Sequence, residues 1–243
     1  QRLREKYGYD QPIHVQYWKW LTNLLHGDLG VSTRYPDFTA NEVILPKMWT
    51  SAQIGFFALL ITFGIGIPAG IYAALARGTF LDPLVIGFWL FIDAVPYFVL
   101  IPLAQWLFAL KLGWVNLSYE GVYSPNMILP VLTLSLPAVA GVARLMRASV
   151  LGVMGEDYVR TARAKGLRER TVVLTHIARN ALLPMITVIG LSLPGIAAGS
   201  LFVELLFGIP GIGREAFDAV LAPDFDVILA LVMFGSVLFV AAN

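Results

Sequence analysis

The sequence predicts an all-α integral membrane protein, a polytopic helical bundle, on three observations. Of its 243 residues, 58% are hydrophobic and 14% charged, and the mean hydropathy is +0.73, well outside the range of a soluble domain. Apolar runs long enough to cross a hydrocarbon core, roughly 20 residues each, follow one another with short polar links. The charges are segregated: eight of the 17 basic residues (Arg144, Arg147, Arg160, Arg163, Lys165, Arg168, Arg170 and Arg179) fall between 144 and 180, against the three acids Glu156, Asp157 and Glu169. Such a concentration marks a cytoplasmic loop, because segments rich in Lys and Arg resist translocation. The one basic patch is flanked by spans, which disfavours nucleic-acid binding. The chain contains no cysteine, which excludes disulfides, thiolate catalysis and Cys-based metal sites.

In chain order, residues 1–50 form a near-neutral polar segment with six bases and five acids (Glu5, Asp10, Asp28, Asp37 and Glu42). The segment carries a short helix from about Pro12 to about Leu25 and a turn at Gly27-Asp28. Trp18, Trp20 and Trp49 suit an interfacial belt. A first span is expected from about Ala52 to about Ala76, with Gly64, Gly66, Pro68 and Gly70 inside it, a composition that favours close packing and a kink. Pro83 opens a second span reaching about Leu110, with Asp93 and Pro96 near its middle. A third starts near Met127 and leaves the membrane at Arg144 and Arg147. A fourth runs from about Ala181 to about Phe207, and a last apolar run begins at Val227. The segment from Gly208 to Asp226 has one base and four acids and reads as extracytoplasmic.

Five spans with a cytoplasmic 144–180 segment put residues 1–50 outside, and a preceding span is needed to carry them there. No export signal and no internal repeat are visible.

Within the basic segment, Asp157 is placed to cap a short helix running through Lys165, and Gly166 to end it in the left-handed conformation. A second amphipathic run follows, with Leu167, Leu174, Ile177 or Ala178, and Ala181 at helical spacing. Two short helices joined at a glycine make a lever outside the bilayer, continuous with the fourth span.

At Arg160-Thr161-Ala162, Gly166 and Leu183-Pro184, with Arg163-Ala164-Lys165 between, the sequence resembles the EAA loop of the membrane subunits of binding-protein-dependent ABC importers. The wide spacing between the glycine and Leu-Pro is closest to the dipeptide, oligopeptide and nickel branch. Leu25–Ser32 (LHGDLGVS) and Leu201–Gly213 (LFVELLFGIPGIG) resemble further stretches of that branch, so the likeness covers essentially the whole chain. It implies the transmembrane domain of a type I importer, with five of six spans visible and residues 51–243 as the membrane domain. The coupling loop would lie at about 150–184, with Asp157, Arg160, Thr161, Ala162, Arg163, Ala164, Lys165, Gly166 and Leu167 contacting an ATPase. Ala162 and Ala164 would keep the helix narrow, so that a partner approaches closely. The implied partners are a homologous second permease, two ATP-binding cassette subunits holding ATP and magnesium, a periplasmic binding protein and the lipid bilayer of a bacterial or archaeal inner membrane. No cofactor is implied in this chain. The plainer alternative for the charges is a loop that only fixes topology.

Other motifs are weaker. Gly208–Gly213 has the glycine spacing of a phosphate loop, but Arg214 and Glu215 replace its Lys and Ser or Thr. Gly190–Pro194 lacks the second glycine of a hydrolase elbow. His14, His26 and His176 have no metal-binding spacing. Asp93 either lines a pathway or is held inside the bundle, since a mid-membrane carboxylate costs at least about 2.5 kcal/mol. Pro96 and Glu204 are further pathway candidates, with Glu204 alternatively an interfacial carboxylate. The competing function is an ion-coupled secondary transporter built on buried carboxylates; an intramembrane enzyme lacks a paired nucleophile and base.

Overall fold

The computed structural model describes residues 11–35 and 37–242, the side chains of 196–198 and 242 excepted. The expectations that rest on residues 1–10 and on Asn243 lie outside these. The described residues are helical apart from loops and one isolated antiparallel bridge between Val31 and Thr39.

Helix α1, Ile13–Leu25, lies where the sequence places it and buries none of its residues. Helix α2, Ala40–Leu75, begins well before the expected Ala52. Its start is fixed by a capping box: the Thr39 hydroxyl accepts from the Glu42 amide, and the Glu42 carboxylate accepts from the Thr39 amide. The 36 residues extend about 54 Å at 1.5 Å each, more than a bilayer core, and Pro46 and Pro68 lie inside without breaking the helix.

The second expected span is broken. Helix α3, Leu81–Asp93, and the pair formed by α4, Tyr97–Ala104, and a π-helical continuation, Gln105–Lys111, meet at 91°. Pro96 causes this: a proline pushes its predecessor, Val95, out of the helical region, and it cannot donate to the preceding turn. Asp93 therefore ends a helix instead of sitting in mid-span. Helix α5, Ile128–Met154, follows a 3-10 turn at Pro125–Met127 and runs on past Arg144 and Arg147 until Gly155.

The basic segment contains α6, Asp157–Ala164, and α7, Glu169–Ala181, the latter π-helical over Val172–Ala178. Helix α8, Leu183–Ala198, leaves α7 at 45°. The expected span to Phe207 stops instead at Gly199, whose φ of 73° no helix accommodates; α9, Leu201–Leu206, is a separate short helix. Helices α10, Ile212–Leu221, and α11, Phe225–Ala242, complete the described chain.

Of the five spans expected, two among the described residues are single helices long and apolar enough to cross a membrane, Ala40–Leu75 and Pro125–Met154; counting each bent pair (α3 with α4, α7 with α8) as one span makes four. Helix α11 is a shorter apolar helix. Apolar length alone could not reveal breaks set by single prolines and glycines.

Helices α2 and α5 form the centre. Gly66 and Gly70 make their contact possible: a Cβ at Gly66 would lie 2.7 Å from Val142 Cγ1, and one at Gly70 would lie 2.5 Å from the Ala143 carbonyl oxygen. Beside them the Thr62 hydroxyl donates to the Ser135 carbonyl at 3.1 Å. At the basic end, α5 (Val142, Met146, Val150), α6 (Val159, Ala162), α7 (Val172, Ile177, Ala181) and Met185 of α8 share one buried cluster.

Candidate coupling site and carboxylate cage

Helix α6 is anchored by one face and open on the other. Val159 and Ala162, three residues apart, are buried in the basic-end cluster, while Tyr158, Arg160, Thr161, Arg163, Ala164 and Lys165 are exposed. Its end is a Schellman motif. Gly166, at φ 75°, donates its amide to the Arg163 carbonyl at 2.9 Å, and the Leu167 amide donates to the Ala162 carbonyl at 3.4 Å. Across this turn Arg163 Nη2 and Nε donate to Glu169 Oε1 and Oε2 at 2.7 and 3.2 Å, tying α6 to the first turn of α7. Gly166 thus has the predicted role, and its added Cβ would meet open space, so only the backbone conformation demands glycine.

Three expectations for this segment are corrected. Asp157 is not the cap: Glu156, extended at φ −71° and ψ 145°, occupies that position without a side-chain cap bond. Asp157 opens the helix instead, exposed and 3.6 Å from Arg160. Ala162 faces the chain's own core, so of the two alanines only Ala164 is free to admit a partner. In the second run Ile177 and Ala181 point inward, but Leu167 and Leu174 are 42% and 56% exposed. Leu167 lies in the turn before α7 and so belongs to no helical face, and at Leu174 the π-helical stretch, whose i to i+5 bonding rotates the face away from the 3.6-residue repeat, accounts for the exposure.

The lever connects to the membrane helices at two places. The Ser149 hydroxyl of α5 donates to the Ala181 carbonyl at 2.8 Å. The Leu182 amide bonds back to Ala178, while Met185 and Ile186 donate to the Leu182 carbonyl, so α7 passes its backbone bonding to α8 through the bend at Leu182.

At the opposite, acidic end, Glu204 is only 2% exposed, which removes the interfacial reading. Its Oε1 accepts from the Ser51 hydroxyl at 2.7 Å and the Ser200 amide at 3.1 Å, and its Oε2 accepts from the Arg214 amide at 3.0 Å. Ser51 in turn accepts from the Ile212 amide at 2.8 Å. Three glycines form the walls: a Cβ at Gly211, Gly199 or Gly213 would lie 2.3, 2.5 or 3.1 Å from the carboxyl group. The glycine loop that resembles a phosphate site therefore does hold an anionic group, the chain's own carboxylate, presented by backbone amides as in an anion-binding nest. A small cavity bounded by Ser51, Gly195, Gly199 and Val203 adjoins it.

Asp224 makes a second junction here. It caps α11 through the Val227 amide at 3.4 Å while accepting from the Ser32 hydroxyl at 2.5 Å and the Arg34 amide at 3.2 Å. Burial pushes its carboxyl upward, but the hydrogen bonds from Ser32 and from backbone amides outweigh this and hold it below its ordinary value. Sequence reasoning passed over both Ser51 and Asp224. The pattern Asp224-x-x-Val227 at the start of an apolar run was the available signal for the cap, whereas nothing local links Ser51 to residues 204 and 212.

The structure does not bring Asp93 and Pro96 into either site. They lie at the α3–α4 break, both exposed, and among the described residues no hydrogen bond or ion pair is made by the Asp93 carboxylate.

A family model described as binding-protein-dependent transport system inner membrane component matches residues 66–243. The chain belongs to this family. It is 37% identical over 230 residues to the oligopeptide transport system permease protein OppB of Salmonella typhimurium (strain LT2), covering 94% of this chain and 75% of that protein. It is 38% identical over 246 residues to the glutathione transport system permease protein GsiC of Salmonella paratyphi A, covering 99% and 78%. In fold it is similar to a chain of the inward-facing MetNI methionine ABC transporter, with a TM-score of 0.63 at 17% identity over 82% of this chain and 93% of that one. The amino acid ABC transporter crystallised with histidines is also similar, with a TM-score of 0.57 at 16% identity.

This family member is thus a multi-pass inner-membrane protein, a permease subunit of an ABC-type importer with the all-α fold of such membrane domains. It is not itself an enzyme, since ATP hydrolysis in this family belongs to separate subunits.

Proposed function

We propose that this permease forms one half of a type I importer pathway for peptides or similar small solutes delivered by a periplasmic binding protein, with a homologous permease as the other half and two ATPase subunits below. Residues 1–50 lie on the periplasmic side, and residues 51–243 form the membrane domain. The segment 150–184 is the coupling loop, which meets an ATPase subunit through the exposed side of α6 and the turn after it: Asp157, Arg160, Thr161, Arg163, Ala164, Lys165, Gly166 and Leu167.

The observation that carries this is the way α6 is mounted. One face is fixed in a core shared with α5, α7 and α8, the other is bare, and the Schellman turn and the Arg163–Glu169 pair hold it at a set angle to α7. A push on α6 is therefore delivered to α5 through Val159 and Ala162, and to α8 through α7. The 45° bend at Leu182 is where that displacement enters a membrane helix. The oligopeptide and glutathione permeases among its relatives support a peptide-like cargo. In the same reading, the break at Asp93–Pro96 and the Glu204 cage belong to the pathway and its outer gate.

Gly166→Val tests the coupling role, because a β-branched residue is strained at positive φ. The expected result is loss of uptake with membrane insertion intact and weakened copurification of the ATPase. Normal uptake with normal ATPase association would remove α6 from the coupling role.

A further inference from the structure

At the basic end, beside the α3–α5 contact, lies a cavity of about 360 Å³ lined by Asp82, Pro83, Ile86, Arg144 and Arg147. Its charges are unequally used. Arg147 Nε and Nη2 both donate to the Asp82 carboxylate at 2.6 Å, a two-pronged pair that neutralises each partner and fixes the start of α3 against α5. Arg144 lines the same cavity, one turn earlier on α5, and has no hydrogen-bond or ion-pair partner among the described residues. Arg77, at the end of α2, stands within electrostatic reach of Asp82. Of the two guanidinium groups that line the cavity only one is matched by the carboxylate, leaving an excess of one positive charge, that of Arg144, beside an open concavity.

The walls above it are apolar. Pro83 and Ile86 form one side of the cavity, and Trp89 and Leu90 continue along α3 from Ile86, one turn further on. Asp82 is the only buried residue on that helix; Pro83 is exposed and Ile86, Trp89 and Leu90 are half-buried, so the wall above the cavity is partly uncovered, while the more exposed Leu84, Phe88 and Phe91 carry the opposite face of α3. A cationic hollow at the foot of an apolar, partly uncovered helix matches a molecule with an anionic head and hydrocarbon tails. A free guanidinium beside a paired one supplies donors in the fork geometry that phosphate oxygens accept. Basic pockets between helices at the cytoplasmic side have the chemistry for phospholipid head groups.

We propose that this cavity is a binding site for the phosphate head group of an anionic phospholipid, with Arg144 as its main contact and the acyl chains lying along α3. Only the choice of leaflet, the cytoplasmic one, rests on the topology proposed above.

The test uses the full-length protein purified with its accompanying subunits, with lipid adducts counted by native mass spectrometry after exchange into mixtures of phosphatidylglycerol and phosphatidylcholine. The wild type should retain phosphatidylglycerol selectively. Arg144→Gln should lower that retention about fivefold, the effect of one basic group at an anionic surface, and Arg144→Lys, which keeps the charge without the fork, should restore part of it. Ile86→Glu, which puts a carboxylate into the hollow, should abolish it. Lys111→Gln, a change remote from the cavity, should leave it unaltered.

Equal retention in the wild type and Arg144→Gln would overturn the proposal, as would an equal loss in Lys111→Gln, which would indicate unspecific surface attraction. Thermal stabilisation by inorganic phosphate that depends on Arg144, with no preference for phosphatidylglycerol, would assign the site to a soluble anion and overturn the lipid reading. Loss of uptake in Gly166→Val bears on coupling alone and leaves these outcomes independent.

Discussion

Gly64, Gly66 and Gly70 look alike in the sequence, and the structure separates them. A Cβ at Gly64 would meet nothing within 4 Å, whereas one at Gly70 would strike the Ala143 carbonyl oxygen, Met146 Cβ and the Arg147 amide nitrogen. Backbone atoms of a packed helix cannot step aside as a flexible side chain can. Gly70→Ala should therefore destabilise the protein by about 1–3 kcal/mol, the usual range for overpacking, while Gly64→Ala should be neutral or slightly stabilising through helix propensity. Thermal unfolding of the two variants in the same detergent checks this; equal melting temperatures would mean that α2 and α5 do not pack in this register. Composition pointed to close packing on α2, but which glycines carry it depends on the rotation of α5, which no local pattern encodes. The same limit hid the carboxylate cage. Gly211 and Gly213 stand out in the sequence as a loop motif, yet the group they enclose, Glu204, lies on another helix and is held by Ser51 from a third.

Among the elements, those governed by short-range chemistry were the legible ones. Helix α1, bounded by Pro12 and the Gly27 turn, and the glycine stop at Gly166 follow from turn rules, and the Thr39–Glu42 box is equally local, although it lies ahead of the apolar run that hydropathy marks as the span. The junction at Asp224 was not legible, because Ser32 lies nearly the whole chain away. Its consequence is a pH dependence with a definite sign. The folded-state pKa of Asp224 is depressed, so its contribution is fully present at neutral pH and is lost as the pH falls through that lowered value, below the ordinary carboxylate range. Asp226 stands beside it, and burial together with the charges of Asp224 and Asp28 pushes its carboxyl upward, so this second acid protonates in the same region at higher pH. Protection of the amides at 31–35 against hydrogen exchange, relative to their intrinsic rates at each pH, should therefore fall in acid, and Asp224→Asn should lower it already at neutral pH, because only one oxygen then remains to serve Ser32, Arg34 and Val227. Exchange in the variant that matches the wild type at neutral pH would show that Asp224 does not hold this segment.

For the molecule as a whole, hydropathy identified the class and the charge asymmetry distinguished its two ends, while the number of crossings was obscured because the apolar runs are interrupted at Pro96, Leu182 and Gly199. Under the proposed function, the breaks at Pro96 and Gly199 are the points at which a pathway opening alternately to two sides would bend, whereas the bend at Leu182, bonded through on both sides, passes displacement from α7 to α8. That argument depends on which end faces which compartment, and the sidedness can be measured directly. The chain has no cysteine, so single cysteines report without background. The structure also decides where to put them: Gly211 is unsuitable, since any side chain there collides with Glu204, whereas Leu221, 67% exposed on the adjoining α10, is free to react. Asp28→Cys and Leu221→Cys should react with an impermeant maleimide in intact spheroplasts, and Leu167→Cys, 42% exposed just beyond the Gly166 turn, only after the membrane is opened. The positive-inside bias makes this orientation the expected one, with a net charge of +5 between 144 and 180 from eight bases and three acids. Labelling of Leu167→Cys in intact cells together with protection of the other two would invert the molecule, and an ATPase could then no longer reach α6. Labelling of Asp28→Cys without Leu221→Cys would break the pairing of the two acidic-end segments that Ser32 and Asp224 join, and with it the arrangement of α2, α10 and α11 around one shared core.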